Sequence, residues 1–515
     1  MADAPLNMAD TILTPPLTRG QGGDIAILCG VDAVTYAELD ERANRAGNAF
    51  RTLGVAADDR VLLVVADRPV FFYAYLGLLK IGAVPCALNL RLSPGDLAHT
   101  FADSGAAIVL TDADFLDACE KAVAAMRGPR PRLVIAHGSA QGYDALAPLM
   151  DAAAPDLTSV LRAADAPGFW MYSSGTTGKP KGVVHAQRTI FAATTVLGDL
   201  LNVGPGDRVF CSSKLFFAFA LGHLMFGALQ LGATIVLYPG WPDTKAVGEV
   251  VARHRPTIML SVPTFYRNLL RDGVAEQPAF KEVHHYMSAG EKLSRPLFAR
   301  WLEATDRAIL DGIGATETCF DFLSNRPDAL RPGTCGLPTP GTEVKLMAED
   351  GAPISAPHRP GVLWVRLASV AVGYWNAPLL SRAAFKDGWY RTNDMFSADA
   401  DGFYEYLGRA DDMLKISGQW VSPGEIEEHV LKHPHVAEAA VIGVPNEDGL
   451  MRLALFLVAP DVGDRQHFEA ELQDALAAVL SIYKVPRRIF YVDAMPATET
   501  GKIQRYALRQ MVGRV

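Results

Sequence analysis

The stretch Tyr172-Ser-Ser-Gly-Thr-Thr-Gly-Lys-Pro-Lys-Gly-Val-Val-His185 decides how the rest of this 515-residue chain is interpreted. Three glycines, four hydroxyl residues and two lysines lie within the ten positions from Ser173 to Gly182. Glycines let backbone N–H groups approach an anion closely, and hydroxyl and ammonium groups add further donors. This composition predicts a loop that binds a polyphosphate.

The residues on either side of this loop indicate two strands. The apolar run 169–172 precedes it and Val183-Val184 follows it, as in a strand and its return strand. The pattern differs from the helix-opening P-loop of nucleotide hydrolases, in which Ser or Thr follows the lysine and the glycines are farther apart. Here two residues separate Gly175 from Gly178, and Pro180 follows Lys179. A polar surface hairpin without a ligand is the alternative interpretation.

Length, composition and charge limit the class of protein. With 515 residues, 50% of them hydrophobic, the chain is expected to form more than one globular domain. The 48 basic and 57 acidic residues give a net charge of −9, which disfavours a nucleic-acid partner and requires local donors for any anionic ligand. The six cysteines are scattered, which predicts a reducing, cytoplasmic location and argues against a zinc site or a disulfide framework.

The sequence predicts neither a signal peptide nor a membrane span. The segment Met1–Asp10 lacks a basic start and an apolar run. Residues 215–238 carry no acidic residue, lysine or arginine over 24 positions, a length that could cross a bilayer. Gly222, Gly227 and Gly232 interrupt this run, so a buried helix followed by a buried strand at 234–238 is the expected structure.

Alternating strand-like and helix-like segments indicate the fold of the N-terminal part. A helix is expected at 37–52, a strand at 60–65, a helix through 75–80 and a strand at 84–88. The end of this pattern recurs about 150 residues later, where 229–234 resembles 79–84. Strands joined by helical crossovers predict mostly parallel sheets covered on both faces.

Two changes in residue composition indicate further parts of the chain. Seven prolines between 327 and 360 separate short strand-like pieces such as 362–366, as in a small β-rich subdomain. The polar stretch Gly408–Asp412 precedes a unit with helix patterns near 424–432 and 467–480 and strand patterns near 437–444 and 452–459. The prediction is an α/β protein: a large domain, 1–410, of two doubly wound lobes with a β-rich subdomain at about 325–408, and a small α+β domain, 411–515.

Two further loops are candidates for the same ligand site. Ser288-Ala-Gly-Glu291 and Asp311-Gly-Ile-Gly-Ala-Thr-Glu317 each follow an apolar strand, and open α/β sheets bind ligands beyond the carboxyl ends of their strands. Glu317 could hold Mg²⁺ as a hard oxygen ligand, with Thr316 beside it for a phosphate oxygen. A helix N-terminus, in which Thr316 and Glu317 bond to the backbone, is the alternative.

Charged residues in the last third of the chain have both a functional and an ordinary interpretation. Asp394 follows the strand-like Tyr390-Arg-Thr-Asn, where it could bind ribose hydroxyls or cap a turn. Arg409 could join it or form a surface salt bridge. Lys502 lies in the glycine-containing segment 496–505 and could be a solvated lysine.

Together these motifs resemble those of the acyl-adenylate-forming superfamily, which contains acyl-CoA synthetases, luciferases and the adenylation domains of peptide synthetases. The resemblance covers nearly the whole chain and rests on SSGTTGKPKG at 173–182, GATE at 314–317, YRTND at 390–394, GRADDMLKISG at 408–418 and TETGKIQR at 498–505. Finer detail is similar to the benzoate-CoA ligase group, in the segments 213–222, 311–314, 322–326 and 415–423.

The resemblance implies a role for each motif. It implies that the ATP phosphates are bound by Ser173, Ser174, Gly175, Thr176, Thr177, Gly178, Lys179 and Lys181, with Thr316 and Glu317 serving phosphate and Mg²⁺. It implies that Gly290, Glu291, Asp311, Gly312 and Ile313 line the adenine and that Asp394 and Arg409 hold the ribose. Lys502 is implied to bridge carboxylate and phosphate during adenylation, Asp411 to be the hinge, and Ser417 and Gly418 to lie beside the CoA thiol arm.

The implied acid pocket is where the sequence departs from plain benzoate ligases. Its expected residues are Ala218, Phe219, His223, Gly314, Cys319, Phe320 and Asp321. Phe219 favours a flat apolar ring, and His223 is either a pocket donor or a core histidine. An acidic residue at the pocket is costly unless it is paired, so Asp321 predicts a ring with an amino or hydroxyl group, such as 2-aminobenzoate or a hydroxybenzoate. The alternative is that Asp321 caps a turn or pairs outside the pocket.

The sequence therefore predicts an ATP-dependent aromatic carboxylate–CoA ligase that uses Mg²⁺ and forms aryl-AMP before aryl-CoA. An adenylating enzyme that loads a separate carrier protein is one alternative, because a carrier needs no domain of this chain. A nucleotide-binding module without catalysis is the alternative of another class. The ring substituents, the acceptor thiol and the oligomeric state stay open at this point.

Overall fold

The computed structural model describes residues 4–174, 179–410, 413–416, 419–445, 451–496 and 503–512. The chain divides into two compact units. The first comprises Met1–Val344 and Trp364–Arg391, and the second comprises Lys345–Leu363 and Thr392–Val515. The predicted boundary at 410 and the hinge at Asp411 remain predictions, and Asp411 lies outside the described residues.

Strands before residue 340 belong to the two large sheets. They are β1 Ile25–Cys29, β2 Asp32–Thr35, β3 Arg60–Val64, β4 Val84–Ala87, β5 Ile108–Thr111, β6 Arg132–Ile135, β7 Asp144–Ala145, β8 Pro167–Ser174, β9 Pro180–Ala186, β10 Arg208–Cys211, β11 Thr234–Leu237, β12 Ile258–Ser261, β13 His285–Ser288, β14 Ile309–Gly314, β15 Asp321–Ser324 and β16 Leu337–Pro338.

The later strands are mostly antiparallel. They are β17 Glu343–Met347, β18 Pro353–Ile354, β19 Gly361–Arg366, β20 Gly373–Tyr374, β21 Phe385–Lys386, β22 Trp389–Ala398, β23 Tyr404–Arg409, β24 Leu414–Ile416, β25 Gln419–Val421, β26 Glu438–Pro445, β27 Met451–Val458 and β28 Arg488–Tyr491.

The α-helices alternate with these strands. They are α1 Met8–Thr18, α2 Tyr36–Thr52, α3 Pro69–Lys80, α4 Pro94–Ser104, α5 Leu116–Ala125, α6 Leu146–Ala152, α7 Ala218–Ala220, α8 Leu229–Leu231, α9 Thr244–His254, α10 Pro263–Arg271, α11 Pro278–Lys281, α12 Arg295–Thr305, α13 Pro378–Ala384, α14 Pro423–Val430, α15 Arg465–Val479 and α16 Arg505–Val512. Two π-helical segments, Thr195–Leu200 and Leu221–Ala228, and four 3₁₀ segments, Gln21–Gly23, Ala113–Phe115, Gln187–Ala192 and Ile482–Lys484, complete the described helical structure.

The first unit contains the two α/β lobes that the sequence predicts. One sheet has the order β20-β9-β8-β4-β3-β5-β6-β7, and its strands from β8 to β7 are parallel. The other has the order β16-β15-β14-β13-β12-β10-β11-β1-β2, with a parallel centre from β14 to β1. Antiparallel strands lie at every edge but that of β7, so the predicted mostly parallel sheets are confirmed.

The first strands of the chain belong to the second of these sheets. β1 pairs with β11 in parallel register, Ile27 opposite Ile235, although some 200 residues separate the two strands. The hairpin partner β2 then leads into α2, whose neighbours are in the other lobe. The chain therefore starts in one sheet, builds the other, and returns, which local periodicity does not reveal.

The repeated segments predicted at 79–84 and 229–234 have the same local structure. In the first, α3 ends and β4 begins across Gly82; in the second, α8 ends and β11 begins across Gly232. Both glycines adopt a left-handed backbone, with φ of +76° and +83°. Glycine adopts this conformation without steric cost, and it stops a helix so that the chain can enter the next strand.

A buried ion pair joins the ends of strands from the two sheets. Asp67 lies three residues beyond the end of β3 and Lys214 three beyond β10, and the Lys214 Nζ is 3.3 Å from the Asp67 Oδ2. Lys214 also donates to the Tyr238 carbonyl oxygen at 2.7 Å. Burial raises the pKa of the Asp67 carboxyl, and the Lys214 ammonium opposes that rise.

The run 215–238 forms a helix and a strand, as expected, rather than a membrane span. Its helical part consists of α7, the π segment Leu221–Ala228 and α8, and β11 follows. Throughout the described part of the chain, no helix combines the length and the apolar character needed to cross a bilayer.

The second unit confirms the predicted α+β character of the C-terminal region. β26 and β27 are antiparallel, with Val441 opposite Leu455, and β28 joins β27 in parallel. α14 and α15 bury Ile426, Val430 and Leu472 in the core of this sheet. The sequence patterns predict α14, α15, β26 and β27 within about two residues but do not predict β28 or α16.

Candidate active site

The glycine-rich stretch forms the predicted pair of strands around a loop. β8 and β9 are antiparallel, with Ser173 opposite Lys181 and Ser174 opposite Pro180. The loop residues Gly175, Thr176, Thr177 and Gly178 lie outside the described residues, as does the side chain of Ser174. Lys179 is exposed at the start of the return strand.

The segment after β14 is a turn rather than a helix N-terminus, so that alternative for Thr316 and Glu317 is wrong. Glu317 is 7% exposed, and its Oε1 accepts a hydrogen bond from the Tyr374 hydroxyl at 2.7 Å. The Lys181 Nζ lies 3.4 Å from the same Oε1 and 3.8 Å from the centre of the Tyr374 ring. The structure therefore brings the glycine-rich hairpin and the GATE segment together through one buried carboxylate.

His185 holds the same turn through the backbone of Thr316. Its ring stacks on Phe169 with a centroid separation of 4.7 Å, and its Nε2 lies 2.8 Å from the Thr316 carbonyl oxygen. Since a carbonyl oxygen can only accept, the Nε2 carries a proton. Burial lowers the pKa of His185 to about 4, so the ring is neutral near pH 7. A neutral donor holds Thr316 without adding charge.

The two predicted loops after β13 and β14 are neighbours, as expected from parallel strands. Ser288, the last residue of β13, is opposite Asp311. Gly290 has a left-handed backbone, with φ of +87°. The Glu291 Oε2 accepts a hydrogen bond from the Thr264 backbone N–H at 2.9 Å, at the N-terminus of α10 where a carboxylate is favourable.

The position assigned to the second loop needs a correction. Asp311, Gly312, Ile313 and Gly314 lie within β14, not after it, because β15 pairs with the strand up to Gly314. Asp311 is 6% exposed, and burial raises the pKa of its carboxyl well above the usual range.

The predicted acid-pocket residues converge on one aromatic cluster. They come from α7, the π segment, β14, the turn after it, and β15: Ala218, Phe219, His223, Gly314, Cys319, Phe320 and Asp321. Phe219 meets His223 edge to face with ring centroids 5.1 Å apart, and His223 meets Phe320 in the same way at 6.0 Å. Cys319 has a left-handed φ of +61°, a constraint that sets the direction of the chain into Phe320.

His223 and Asp321 face each other inside this cluster without a direct hydrogen bond. The His223 Nε2 and the Asp321 Oδ2 are 3.7 Å apart, and neither atom has a hydrogen-bond partner in the described residues. The His223 Nδ1 lies 2.9 Å from the Phe219 carbonyl oxygen, so the Nδ1 carries the proton and the Nε2 is an acceptor in the neutral ring. Burial lowers the pKa of His223 to about 4 and raises the pKa of Asp321 to about 7.

The aspartate and arginine of the second unit form a cross-strand pair. Asp394 lies in the middle of β22, so its assignment to a position after a strand is wrong. It is opposite Arg409 of β23, whose Nη1 donates to the Asp394 Oδ1 at 3.1 Å. Asp411, Ser417, Gly418 and Lys502 lie outside the described residues.

Comparison with known protein families supports the motif assignment. The family model of AMP-binding enzymes matches residues 18–375, and that of the AMP-binding enzyme C-terminal domain matches residues 425–502. The chain belongs to the AMP-binding enzyme family. The resemblance expected from its motifs is confirmed.

Three known proteins are similar to this AMP-binding enzyme over nearly their whole length. A 3-hydroxybenzoate–CoA/4-hydroxybenzoate–CoA ligase of Thauera aromatica is 47% identical, over 98% of this chain and 97% of its own. A 3-hydroxybenzoate–CoA ligase of Aromatoleum sp. (strain CIB) is 46% identical, over 98% and 97%. The solved structure of a benzoate CoA ligase from Burkholderia xenovorans LB400 is 35% identical, with a TM-score of 0.86 over 98% of this chain and 100% of its own.

Two residues of the site in this AMP-binding enzyme were missed by sequence reasoning. Tyr374 follows no motif, and only the fold brings its hydroxyl to Glu317. His185 ends the glycine-rich stretch, and its position on the strand opposite the apolar Phe169 was the available signal.

Glu317 is the carboxylate of this AMP-binding enzyme that could bind Mg²⁺. No group of three or more metal-ligating side chains occurs among the described residues. Mg²⁺ is usually held by one or two carboxylates together with substrate phosphates, so a single buried Glu317 beside the glycine-rich hairpin fits it.

Proposed function

We propose that this AMP-binding enzyme is an ATP-dependent aryl-CoA ligase. The observation that carries the proposal is the short turn between β14 and β15. At Glu317 the turn contacts Lys181 of the glycine-rich hairpin, and at Phe320 it contacts the aromatic cluster of Phe219 and His223. The glycine-rich hairpin and the aromatic cluster thus both contact the four residues Glu317–Phe320, which supports a nucleotide and an aromatic acid bound side by side.

The first step joins the acid to the nucleotide. A carboxylate oxygen attacks the α-phosphorus of ATP, the bond from that phosphorus to the bridging oxygen breaks, and pyrophosphate leaves. Positioned cationic and hydroxyl donors are needed because negative charge accumulates on the phosphates. The proposed donors are Ser173, Ser174, Thr176, Thr177, Lys179, Lys181 and Thr316, with the loop backbone of Gly175 and Gly178.

Glu317 is the proposed Mg²⁺ ligand. When bound, Mg²⁺ supplies positive charge against the phosphates. Tyr374 and Lys181 hold the carboxylate in place before any metal arrives. A buried carboxylate with one fixed oxygen is oriented without further loss of side-chain freedom.

The remaining nucleotide contacts follow from the motif positions. Gly290, Glu291, Asp311, Gly312 and Ile313 are proposed to line the adenine. Asp394 and Arg409 are proposed to hold the ribose. The 3.1 Å hydrogen bond from Arg409 restricts the orientation of the Asp394 carboxylate. Lys502 is proposed to bridge the carboxylate and the α-phosphate during adenylation.

The second step transfers the aroyl group, the ring together with its carbonyl, to sulfur. The CoA thiol loses its proton, the sulfur attacks the acyl carbon, and the bond to AMP breaks. Ser417 and Gly418 are proposed to lie beside the arm that carries the thiol, and Asp411 is the proposed hinge between the two steps. A separate carrier protein with a similar thiol arm is the second candidate acceptor.

The proposed acid is a benzoate with a ring hydroxyl. The similar proteins of Thauera aromatica and Aromatoleum are hydroxybenzoate–CoA ligases by name. The polar pair of His223 and Asp321 at the aromatic cluster supports a ring with a polar group over unsubstituted benzoate.

One screen tests the proposed function. The purified enzyme is supplied with ATP, MgCl₂ and single aromatic acids, and pyrophosphate release is followed with and without CoA. We expect acid-dependent pyrophosphate release and CoA-dependent AMP formation, strongest with hydroxybenzoates. Release of pyrophosphate without any use of free CoA would favour a carrier protein as acceptor, and no acid-dependent release would leave a nucleotide-binding module.

A further inference from the structure

The buried pair of His223 and Asp321 is the part of the molecule that ordinary packing explains least. Both residues are at most 3% exposed, and each side chain points an unpartnered polar atom at the other across 3.7 Å. Leaving a buried polar atom without a partner costs free energy. Because each atom lacks a bond in the described residues, the pair is suited to a ligand atom that bonds to both.

We propose that His223 and Asp321 form a two-point recognition site for a ring hydroxyl of the aromatic acid. The His223 Nε2 accepts a hydrogen bond from the hydroxyl, and the protonated Asp321 carboxyl donates a hydrogen bond to the hydroxyl oxygen. The inference rests on the proposed aryl-CoA ligase function and extends it to the chemistry of the ring substituent. An oxygen at a hydrogen-bond distance of about 2.8 Å from both atoms fits the separation between them.

The hydrogen-bonding capacity of the pair distinguishes a hydroxyl from an amino group. The Nδ1 of His223 is used by the Phe219 carbonyl, which leaves the Nε2 as an acceptor. A hydroxyl can donate one hydrogen bond and accept others, so it matches one acceptor and one donor. An aryl amino group offers two N–H donors, so it matches two acceptors instead.

The surroundings hold the pair in place and keep water away. The backbone of β14 lies against Asp321, since a Cβ on Gly314 would come within 2.9 Å of its Oδ1 and one on Gly312 within 3.4 Å of its Oδ2. His223 lies in the π segment Leu221–Ala228, and the rings of Phe219 and Phe320 meet its ring edge to face. π-Helical segments are frequent at functional sites because they displace a residue from the regular helical surface.

The protonation of the pair follows from its setting. Burial raises the pKa of Asp321 to about 7, while His223 with a pKa of about 4 stays neutral. Among the described residues, Asp311 on β14 is close enough for the charge of Asp321 to raise its pKa, and Cys319 lies two residues before Asp321 in the preceding turn. Between about pH 4 and 7 the Asp321 Oδ2 and His223 Nε2 therefore share one proton, on Asp321, and above about pH 7 both atoms are acceptors.

Ionisation of Asp321 should weaken the preference for a ring hydroxyl over a ring amino group. When Asp321 loses its proton, a ring hydroxyl can bond to only one of two acceptors, and a ring amino group can bond to both. The ratio of kcat/KM for 3-hydroxybenzoate to that for 3-aminobenzoate should therefore fall as the pH rises through about 7. Between about pH 6 and 8 the substrate carboxylate stays ionised and the phenol neutral, so neither contributes.

The experiment measures CoA-dependent AMP formation at pH 6, 7 and 8. The acids are benzoate, 3- and 4-hydroxybenzoate, and 3- and 4-aminobenzoate. In the parent enzyme, the favoured hydroxybenzoate should exceed benzoate in kcat/KM by on the order of ten- to a hundredfold, as expected for lost bonds to a buried polar pair. Asp321→Leu, which matches the shape of the carboxyl, should remove most of this preference.

Asp321→Asn separates recognition from titration. Its amide N–H₂ can donate to the hydroxyl oxygen at every pH, so the preference for the hydroxy acid should persist while its pH dependence disappears. Asp112→Asn is the matched control, because it replaces a buried carboxyl that lies outside the proposed site. Burial raises the pKa of Asp112 to about 6. That variant should keep both the preference and the pH dependence.

The outcomes distinguish failure of the inference from failure of the proposed function. If no aromatic acid supports CoA-dependent AMP formation, the proposed function is wrong. If aryl-CoA forms but Asp321→Leu keeps the parent preference, the pair does not recognise the substituent. Persistence of the parent pH dependence in Asp321→Asn would assign it to another group, such as Asp311, and overturn the protonation part of the inference.

Discussion

Asp321 is a buried carboxylic acid whose ionisation acts against the stability of the fold. It is 3% exposed and has no hydrogen-bond partner for its Oδ2 in the described residues, so ionisation inside the cluster is unfavourable. Burial raises its pKa, and among the described residues no cation offsets that rise. A residue that only filled space would not be a carboxylic acid.

The first prediction is that Asp321→Asn stabilises the enzyme more at pH 8 than at pH 5. The folded pKa of Asp321 is about 7, and an unfolded aspartate titrates near pH 3.9. Because the folded pKa is raised, the parent loses stability as the pH rises from the unfolded to the folded value, and an amide does not. The additional gain at pH 8 should be on the order of 2 to 3 kcal/mol.

Thermal unfolding of parent and variant at both pH values measures this difference. Asp151→Asn, which changes an aspartate whose side chain is 72% exposed, serves as the control and should behave alike at both. Equal shifts in Tm at pH 5 and pH 8 for Asp321→Asn would contradict the prediction.

The second prediction concerns the hydroxyl that orients Glu317. Tyr374→Phe removes the 2.7 Å hydrogen bond to the Glu317 Oε1 and leaves a buried carboxylate less well held. If Glu317 binds Mg²⁺, the concentration of MgCl₂ that gives half-maximal activity should rise by about 10- to 100-fold, as expected when an orienting partner of a metal ligand is lost. The KM for the aromatic acid should change much less.

A titration of initial rate against MgCl₂ at saturating ATP tests this prediction. Tyr143→Phe is the matched control, because it removes a solvent-exposed 2.6 Å hydrogen bond from the Tyr143 hydroxyl to Glu120. An unchanged MgCl₂ requirement in Tyr374→Phe would show that the hydroxyl does not orient a metal ligand.

At the scale of elements, close contact of backbones determines how α2 and α3 cross. Both helices are expected from their periodicity, but their crossing point is set by Gly47 and Gly77. A Cβ on Gly77 would lie 2.6 Å from the Gly47 backbone nitrogen and 2.7 Å from the Ala43 carbonyl oxygen. Neither backbone atom can move without moving its helix, so the two helices lie as close as their backbones allow.

The third prediction is therefore that Gly77→Ala destabilises the enzyme. A glycine-to-alanine change inside a helix usually stabilises it by about 0.5 to 1 kcal/mol. Here the added methyl group overpacks the crossing, and the net loss should be about 1 to 3 kcal/mol, seen as a lower Tm. Gly95→Ala in α4, where the nearest atom to the new Cβ is the Ser93 Oγ at 3.8 Å, should be neutral or stabilising. A raised Tm in Gly77→Ala would show that the helices can separate at little cost.

At the scale of the whole molecule, the two proposed chemical steps place opposite demands on the second unit. Adenylation needs a cation between carboxylate and phosphate, and thioester formation needs that position open for a thiol. A terminal domain that turns on one hinge would meet both demands. Lys502, which lies outside the described residues, is proposed to supply that cation during adenylation.

The fourth prediction is a split between the two half-reactions. Lys502→Ala should lower aryl-AMP formation by orders of magnitude, because a bridging charge is lost where negative charge accumulates. It should spare the attack of CoA on aryl-AMP supplied from outside. Lys432→Ala, which changes an exposed lysine of the same unit, should affect neither half-reaction. Equal losses in both half-reactions would refute a role confined to adenylation.

Much of this molecule follows from the sequence alone. The order of strands and helices, the glycine stops at Gly82 and Gly232 and the hairpin around 175–178 are local features, determined by side-chain periodicity and backbone preference over a few residues. The family follows from motifs whose residue types are required by phosphate and carboxylate chemistry, and it is confirmed by matches over 18–375 and 425–502.

Only the tertiary structure decided which of these pieces meet. The pairing of β1 with β11, the contact of Lys181 and Tyr374 with Glu317, and the 3.7 Å between His223 and Asp321 each join residues about 55 to 210 positions apart. Such contacts arise because sheets and helices bury their apolar faces against one another, and that packing brings polar side chains together whatever their distance in the chain. The placement of Asp394 within β22 has the same origin, since pairing with β23 extends the strand beyond its local signal.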